Sequence, residues 1–98
     1  MKIVYTKHAE EKLKRKDIKK FGIKKKLIEQ AIENPNYTDK TMYGDFAVLL
    51  ALDSYTLRVI YGKVAKKLKV ITFHLAKRGR YEAKILQRGW HISSYFLK

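Results

Sequence analysis

The chain has no cysteine, a single proline, a single tryptophan and only 9 acidic residues among 98. Without cysteine there is no disulfide framework, no thiolate zinc site and no thiol nucleophile, which suits a reducing interior. Long hydrophobic runs are missing too. The longest, FAVLLAL at residues 46–52, falls far short of the roughly 20 residues that a membrane helix needs. The opening MKIVYTKHAEEK has too short an apolar run for a signal peptide. A soluble, cytoplasmic protein with no membrane partner is the expectation. Nor is there a Gly-rich phosphate loop, a Gly-x-Ser-x-Gly elbow or a Rossmann fingerprint, so no cofactor is expected. No repeat, low-complexity stretch or linker divides the sequence, and residues 1–98 read as one domain.

What the chain has in excess is positive charge: 23 Lys and Arg give a formal net charge of +14. Residues 7–26 carry 10 basic and 3 acidic groups, residues 54–98 carry 11 and 1, and residues 27–53 between them carry 1 and 5. Two cationic blocks flanking an acidic middle create a field that draws in polyanions, because each phosphate neutralised releases counterions. RNA, free or on the ribosome, or another nucleic acid is the partner such a field favours. Most of the basic residues are Lys, however, which also fits a merely Lys-rich surface.

KIVYT alternates as a short strand, and Thr6 is placed to cap a helix beginning at Lys7, with Glu10 and Glu11 near its positive end. Ala9 and Leu13 share a face, but Ile18 falls about half a turn out of phase, which predicts a break near Asp17. Ile23, Leu27, Ile28, Ala31 and Ile32 form an apolar stripe at helical spacing, and this second helix ends before Pro35. From Tyr37 the pattern is strand-like: YTDKTM, FAVLLALD, LRVIYG and KVITFHL, separated by short turns. The reading is α+β, with two N-terminal helices packed on one face of an antiparallel sheet whose other face is solvated. The tail, residues 82–98, is left open between a last edge strand and a partner-binding extension.

Alternation along the last strong strand puts Ile71, Phe73 and Leu75 toward the helices, and Val70, Thr72 and His74 toward water with Arg58 beside them. The turn that follows adds Lys77, Arg78, Arg80 and Tyr81. His8, in a first helical turn where imidazolium is disfavoured, is a second candidate base, though a histidine beside a cap is often structural. His91 in the tail is the weakest candidate. Tyr5, Tyr61 and Tyr43 read as packing residues, leaving Tyr81 for base stacking or proton relay. Carboxylates are too scattered for a metal nuclease, so no metal site is expected. The chemistry open to His, Tyr, Lys and Arg alone is transphosphorylation of RNA by its own 2′-hydroxyl.

Taken in order, TKHAEEKL, FGIKKKLIEQAIENP, LRVIYG and KVITFHLAKRGRY resemble the small proteins that open on a His-Ala motif and are grouped with the RelE/ParE-like toxins. The likeness runs from residue 3 to about residue 82. It implies a helical hairpin on a curved antiparallel sheet, an active face lined by basic residues and Tyr, and a catalytic or structural part for His8. Many of the wider group are metal-independent ribonucleases of toxin–antitoxin pairs; others act on gyrase or have no demonstrated activity. Two departures stand out: Lys12 replaces the usual Arg four residues after the His, and KRKDIKKFG is longer than the usual link. Three functions stay open: an endoribonuclease, with His8, His74, Arg78 and Tyr81 catalytic and Lys12, Arg58, Thr72, Lys77 and Arg80 on the backbone; a nucleic-acid-binding module without catalysis; and a module that docks an acidic antitoxin.

Overall fold

A computed structural model describes residues 2–41, 45–52, 54–77 and 91–92, the last pair by backbone alone. Strand β1 (Lys2–Tyr5) passes directly into helix α1 (Lys7–Leu13). Between them Thr6 stays extended, and its hydroxyl accepts from the Ala9 amide at 3.1 Å while donating to the Ile71 carbonyl at 2.9 Å. One side chain thereby caps a helix and satisfies a sheet edge.

The predicted helical break is present, but it lies at Arg15, two residues before Asp17. Arg15 is extended, at φ −67° and ψ 140°, and α2 (Lys16–Lys20) restarts behind it. Asp17 turns back onto the Arg15 guanidinium with contacts of 3.1 and 2.8 Å. The restart brings Ile18 into the core, which the continuous helix could not do. Gly22, at φ +73°, takes the left-handed turn that frees the chain for α3 (Lys25–Glu33). There Ile28 and Ala31 are fully buried, Leu27 and Ile32 partly so, and Ile23 packs just ahead of them. Among the described residues the helical layer therefore holds three helices where the periodicity predicts two.

Strands β2 (Tyr37–Lys40), β3 (Phe46–Ala51), β4 (Tyr55–Val64) and β5 (Lys67–Lys77) form the expected antiparallel meander. A two-residue β6 (His91–Ile92) pairs with β2, so the tail contributes an edge strand. The order is β1-β5-β4-β3-β2-β6. The sheet is mixed, not antiparallel, because β1 runs parallel to β5. Alternation fixes which face of a strand is buried; it carries no information on which edge the strand joins, or in which direction.

Two further expectations are corrected. Val70 lies in the helix-side core with Phe73, Leu57 and Val59, although strict alternation places it on the opposite face. A bulge is the reason: the register steps from Ile60↔Thr72 to Tyr61↔Val70, Ile71 is left unopposed, and the alternation slips by one. The face opposite the helices is also not solvated at its centre. Leu49, Thr56, Ala47 and Tyr37 on that side are buried. The unbroken apolar run of β3 is the signature of a strand covered on both faces.

The β4–β5 hairpin turns through Ala65, the one non-glycine residue at positive φ among those described, at 55°. This conformation costs an L-residue with a Cβ roughly 1–2 kcal/mol. Ala65→Gly is expected to recover about 1 kcal/mol of it in spite of the added unfolded-state entropy, seen as a higher urea midpoint with unchanged slope.

Candidate functional site

β1 pairs with β5 only from Lys67 to Val70, so from Ile71 onward no strand among the described residues lies beside the outer edge of β5. Carbonyls on such an edge need other donors, and the first helix supplies them. Thr6 donates to the Ile71 carbonyl and the Lys12 ammonium to the Phe73 carbonyl. The same ammonium lies 3.2 Å from His74 Nδ1 and 5.3 Å from the centroid of the Phe73 ring. An ammonium can only donate, so Nδ1 is the acceptor and the imidazole proton sits on Nε2.

His8 stands one helical turn before Lys12 on the same side of α1, and it is exposed. Arg58 is the direct cross-strand neighbour of His74 and shares its face. The fold thus gathers His8, Lys12, Arg58 and His74 at one corner, where α1 crosses the free edge of β5. Their mutual effect is visible in protonation. Partial burial, followed by the charges of Lys12, Arg58 and His8, holds the His74 imidazole below its ordinary value of 6.5. Burial first, then Arg15, lowers the Lys12 ammonium, with Asp17 opposing. Asp17 itself is held low by its hydrogen bonds from Arg15.

A depressed imidazole means that the unfolded chain binds the proton more readily than the fold does. The His74 contribution is therefore fully present above pH 6.5 and is lost as pH falls through the lower folded value. Urea unfolding between pH 7.5 and 5 is expected to show wild-type stability falling more steeply than that of His74→Asn. Parallel curves for the two proteins would remove the cationic neighbours from the account.

Other predicted residues are placed differently. The Thr72 hydroxyl is enclosed and has no hydrogen-bond partner, so it does not reach the surface beside His74. Its main chain keeps the face of His74, as alternation predicts, because the register runs unshifted from Arg58↔His74 to Ile60↔Thr72; what differs is that the hydroxyl is enclosed there. Lys77 is the last residue of β5, not part of a following turn; it pairs with Tyr55 and so lies on the helix side, across the sheet from His74. Arg78, Arg80 and Tyr81 lie outside the described residues, as does Tyr43; of His91 only the backbone is described. Tyr5 and Tyr61 pack against the core as expected, Tyr5 donating to Glu29 Oε2 at 2.7 Å and Tyr61 stacking on Phe46 at 5.3 Å.

Sequence reasoning missed four residues that line the same corner. A cavity of about 250 Å³ runs from Lys12 and His74 past Arg15 and Asp17 to Phe21 and Tyr55. Phe21 fits neither helical stripe, which was a signal that it had no core position to fill; Tyr55 was hidden inside an apparent turn. A larger cavity, about 410 Å³ between α1 and α3, is lined by Leu13 and Ile23 and rimmed by lysines, and none of the predicted site residues lines it. Among the described residues no three His, Asp or Glu side chains cluster as metal ligands, and no helix is long and apolar enough to cross a membrane.

No protein-family model matches the chain, and neither a curated protein nor a solved structure does. Function has to be argued from the corner's own geometry.

Proposed function

We propose that this corner binds the RNA backbone and cleaves it without a metal, by attack of a ribose 2′-hydroxyl on the adjacent phosphorus. The observation that carries the reading is the cluster of two imidazoles, an ammonium and a guanidinium at one sheet edge, where the neighbouring carboxylate, Asp17, is already paired with Arg15. Such a group of donors suits a phosphate and the extra charge of its phosphorane. His8 accepts the 2′-hydroxyl proton as the 2′-oxygen attacks. The bond from phosphorus to the 5′-oxygen breaks, and His74 Nε2 gives its proton to that oxygen. Lys12 passes a proton to Nδ1 in the same step, so no imidazolate forms and a neutral amine remains, to be reprotonated by solvent. Arg58 holds the non-bridging oxygens. The products are a 2′,3′-cyclic phosphate and a free 5′-hydroxyl.

The resemblance to the RelE/ParE-like toxins belongs to the same proposal, with an acidic antitoxin as the natural inhibitor of so basic a surface and the cytoplasm as its place of action. A helical layer on a sheet with a basic edge supports it. A second reading, binding without cleavage, is favoured by one observation: the Lys12 contact occupies Nδ1, which leaves His74 a donor.

The test is incubation of the purified protein with RNA in EDTA, with and without ribosomes. Cleavage giving cyclic phosphate ends, blocked by a 2′-deoxy substitution at the cut position, is the expected result. RNA that stays intact at high protein excess while still binding would leave the second reading; RNA that neither binds nor is cut would end both.

A further inference from the structure

Beside the cationic corner the surface becomes aromatic. Phe21 is 41% exposed, unusual for a large apolar side chain, and its ring meets Tyr55 edge-on, with centroids 4.7 Å apart and planes at 61°. Leu75 completes the floor. The cavity that begins at Lys12 and His74 and a second one of about 260 Å³, reaching Leu52 and Ser54, share Phe21, Tyr55 and Leu75 as a common wall. Lys12 and Arg15 therefore stand at one end of an apolar platform.

We propose that the Phe21–Tyr55 shelf holds an unpaired nucleobase of a single strand whose adjoining phosphate lies at the Lys12–His74 corner. This deepens the reading above and rests on it. An edge-to-face pair leaves ring surface free for a flat heterocycle, and every base has a face to offer, so the contact tolerates sequence. The occupant is set by charge: a chain carrying +14, with Lys12 and Arg15 lining the groove beside the shelf, fits a repeating anion with apolar discs between its charges. A nucleic acid strand is such an anion, whereas an anionic lipid surface offers no ring. Asp17, lining the groove, adds an acceptor at its edge. A duplex, with its bases stacked inside, would meet only the cations.

The experiment compares two DNA strands of equal length and charge, one intact and one built wholly of abasic units, so that no 2′-hydroxyl permits cleavage. The whole protein is titrated with each at fixed salt. Stacking is worth roughly 5- to 150-fold in affinity for one base, and the intact strand is expected to bind the wild type tighter by that factor. Phe21→Leu and Tyr55→Leu, which keep apolar bulk and so protect the fold, are expected to lose most of the preference and keep the affinity for the abasic strand. Equal wild-type affinity for both strands, with the salt dependence of phosphate binding intact, would overturn the shelf and spare the corner. Failure of both strands to bind would overturn the corner and the shelf together. A preference that survives both leucine variants would place the base elsewhere and also overturn the proposal.

Discussion

His74→Ala is expected to lower RNA cleavage in EDTA by roughly 10²- to 10⁴-fold, the usual worth of a positioned proton donor. The substitution takes away the ring that links Lys12 to the leaving oxygen, while the exposure of His74 leaves the core untouched. Lys12→Arg sharpens the test. It keeps the positive charge but, with a guanidinium that does not give up its proton near neutral pH, it cannot feed Nδ1. Strand binding is expected to survive in Lys12→Arg while the rate falls about as far as in His74→Ala. The pH profile follows from the same assignment. Lys12 must be charged to supply its proton, so the rate falls on the alkaline side as Lys12, itself lowered, loses that proton. A profile without the alkaline limb would exclude Lys12 as the proton source.

Phe73→Ala is the substitution expected to cost most stability, about 3–5 kcal/mol. Phe73 is the largest fully buried side chain among the described residues, enclosed by both the helices and the neighbouring strands. Single domains of this kind hold about 5–15 kcal/mol in all, so urea is expected to unfold the variant at a much lower midpoint. Phe73 also fixes the site from below: its carbonyl accepts from Lys12 and its ring lies under the same ammonium. Phe73→Leu, which keeps most of the volume, is expected to retain the fold and lose activity out of proportion to its stability, because Lys12 loses the aromatic face.

The parts of this fold that the sequence displays are those governed by local periodicity. The Ile23–Ile32 stripe, the cap at Thr6 and the phase slip at Ile18 can all be read from spacing, and the structure has each of them. Register between distant segments is a different matter. Nothing local tells β1 to run parallel to β5, or places a bulge at Ile71, and the bulge decides where Val70 points. At the site, Arg58 and His74 were legible because alternation persists beyond the bulge. Their meeting with Lys12 was not, because it depends on α1 covering an edge that β1 is too short to cover. Phe21 and Tyr55 come together for a similar reason: 34 residues separate them along the chain, and only the α2 restart brings the first to the second.

Histidine ring signals, followed by nitrogen-resolved NMR across pH 4.5 to 8 with and without a 2′-deoxy strand in EDTA, test the phosphate corner most directly. The expected spectrum shows free His74 titrating below 6.5 with its neutral proton on Nε2, and moving to a higher pKa when the strand supplies its negative charge. An imidazole that titrates at the ordinary value and ignores the strand would contradict the assignment of this corner as a phosphate site.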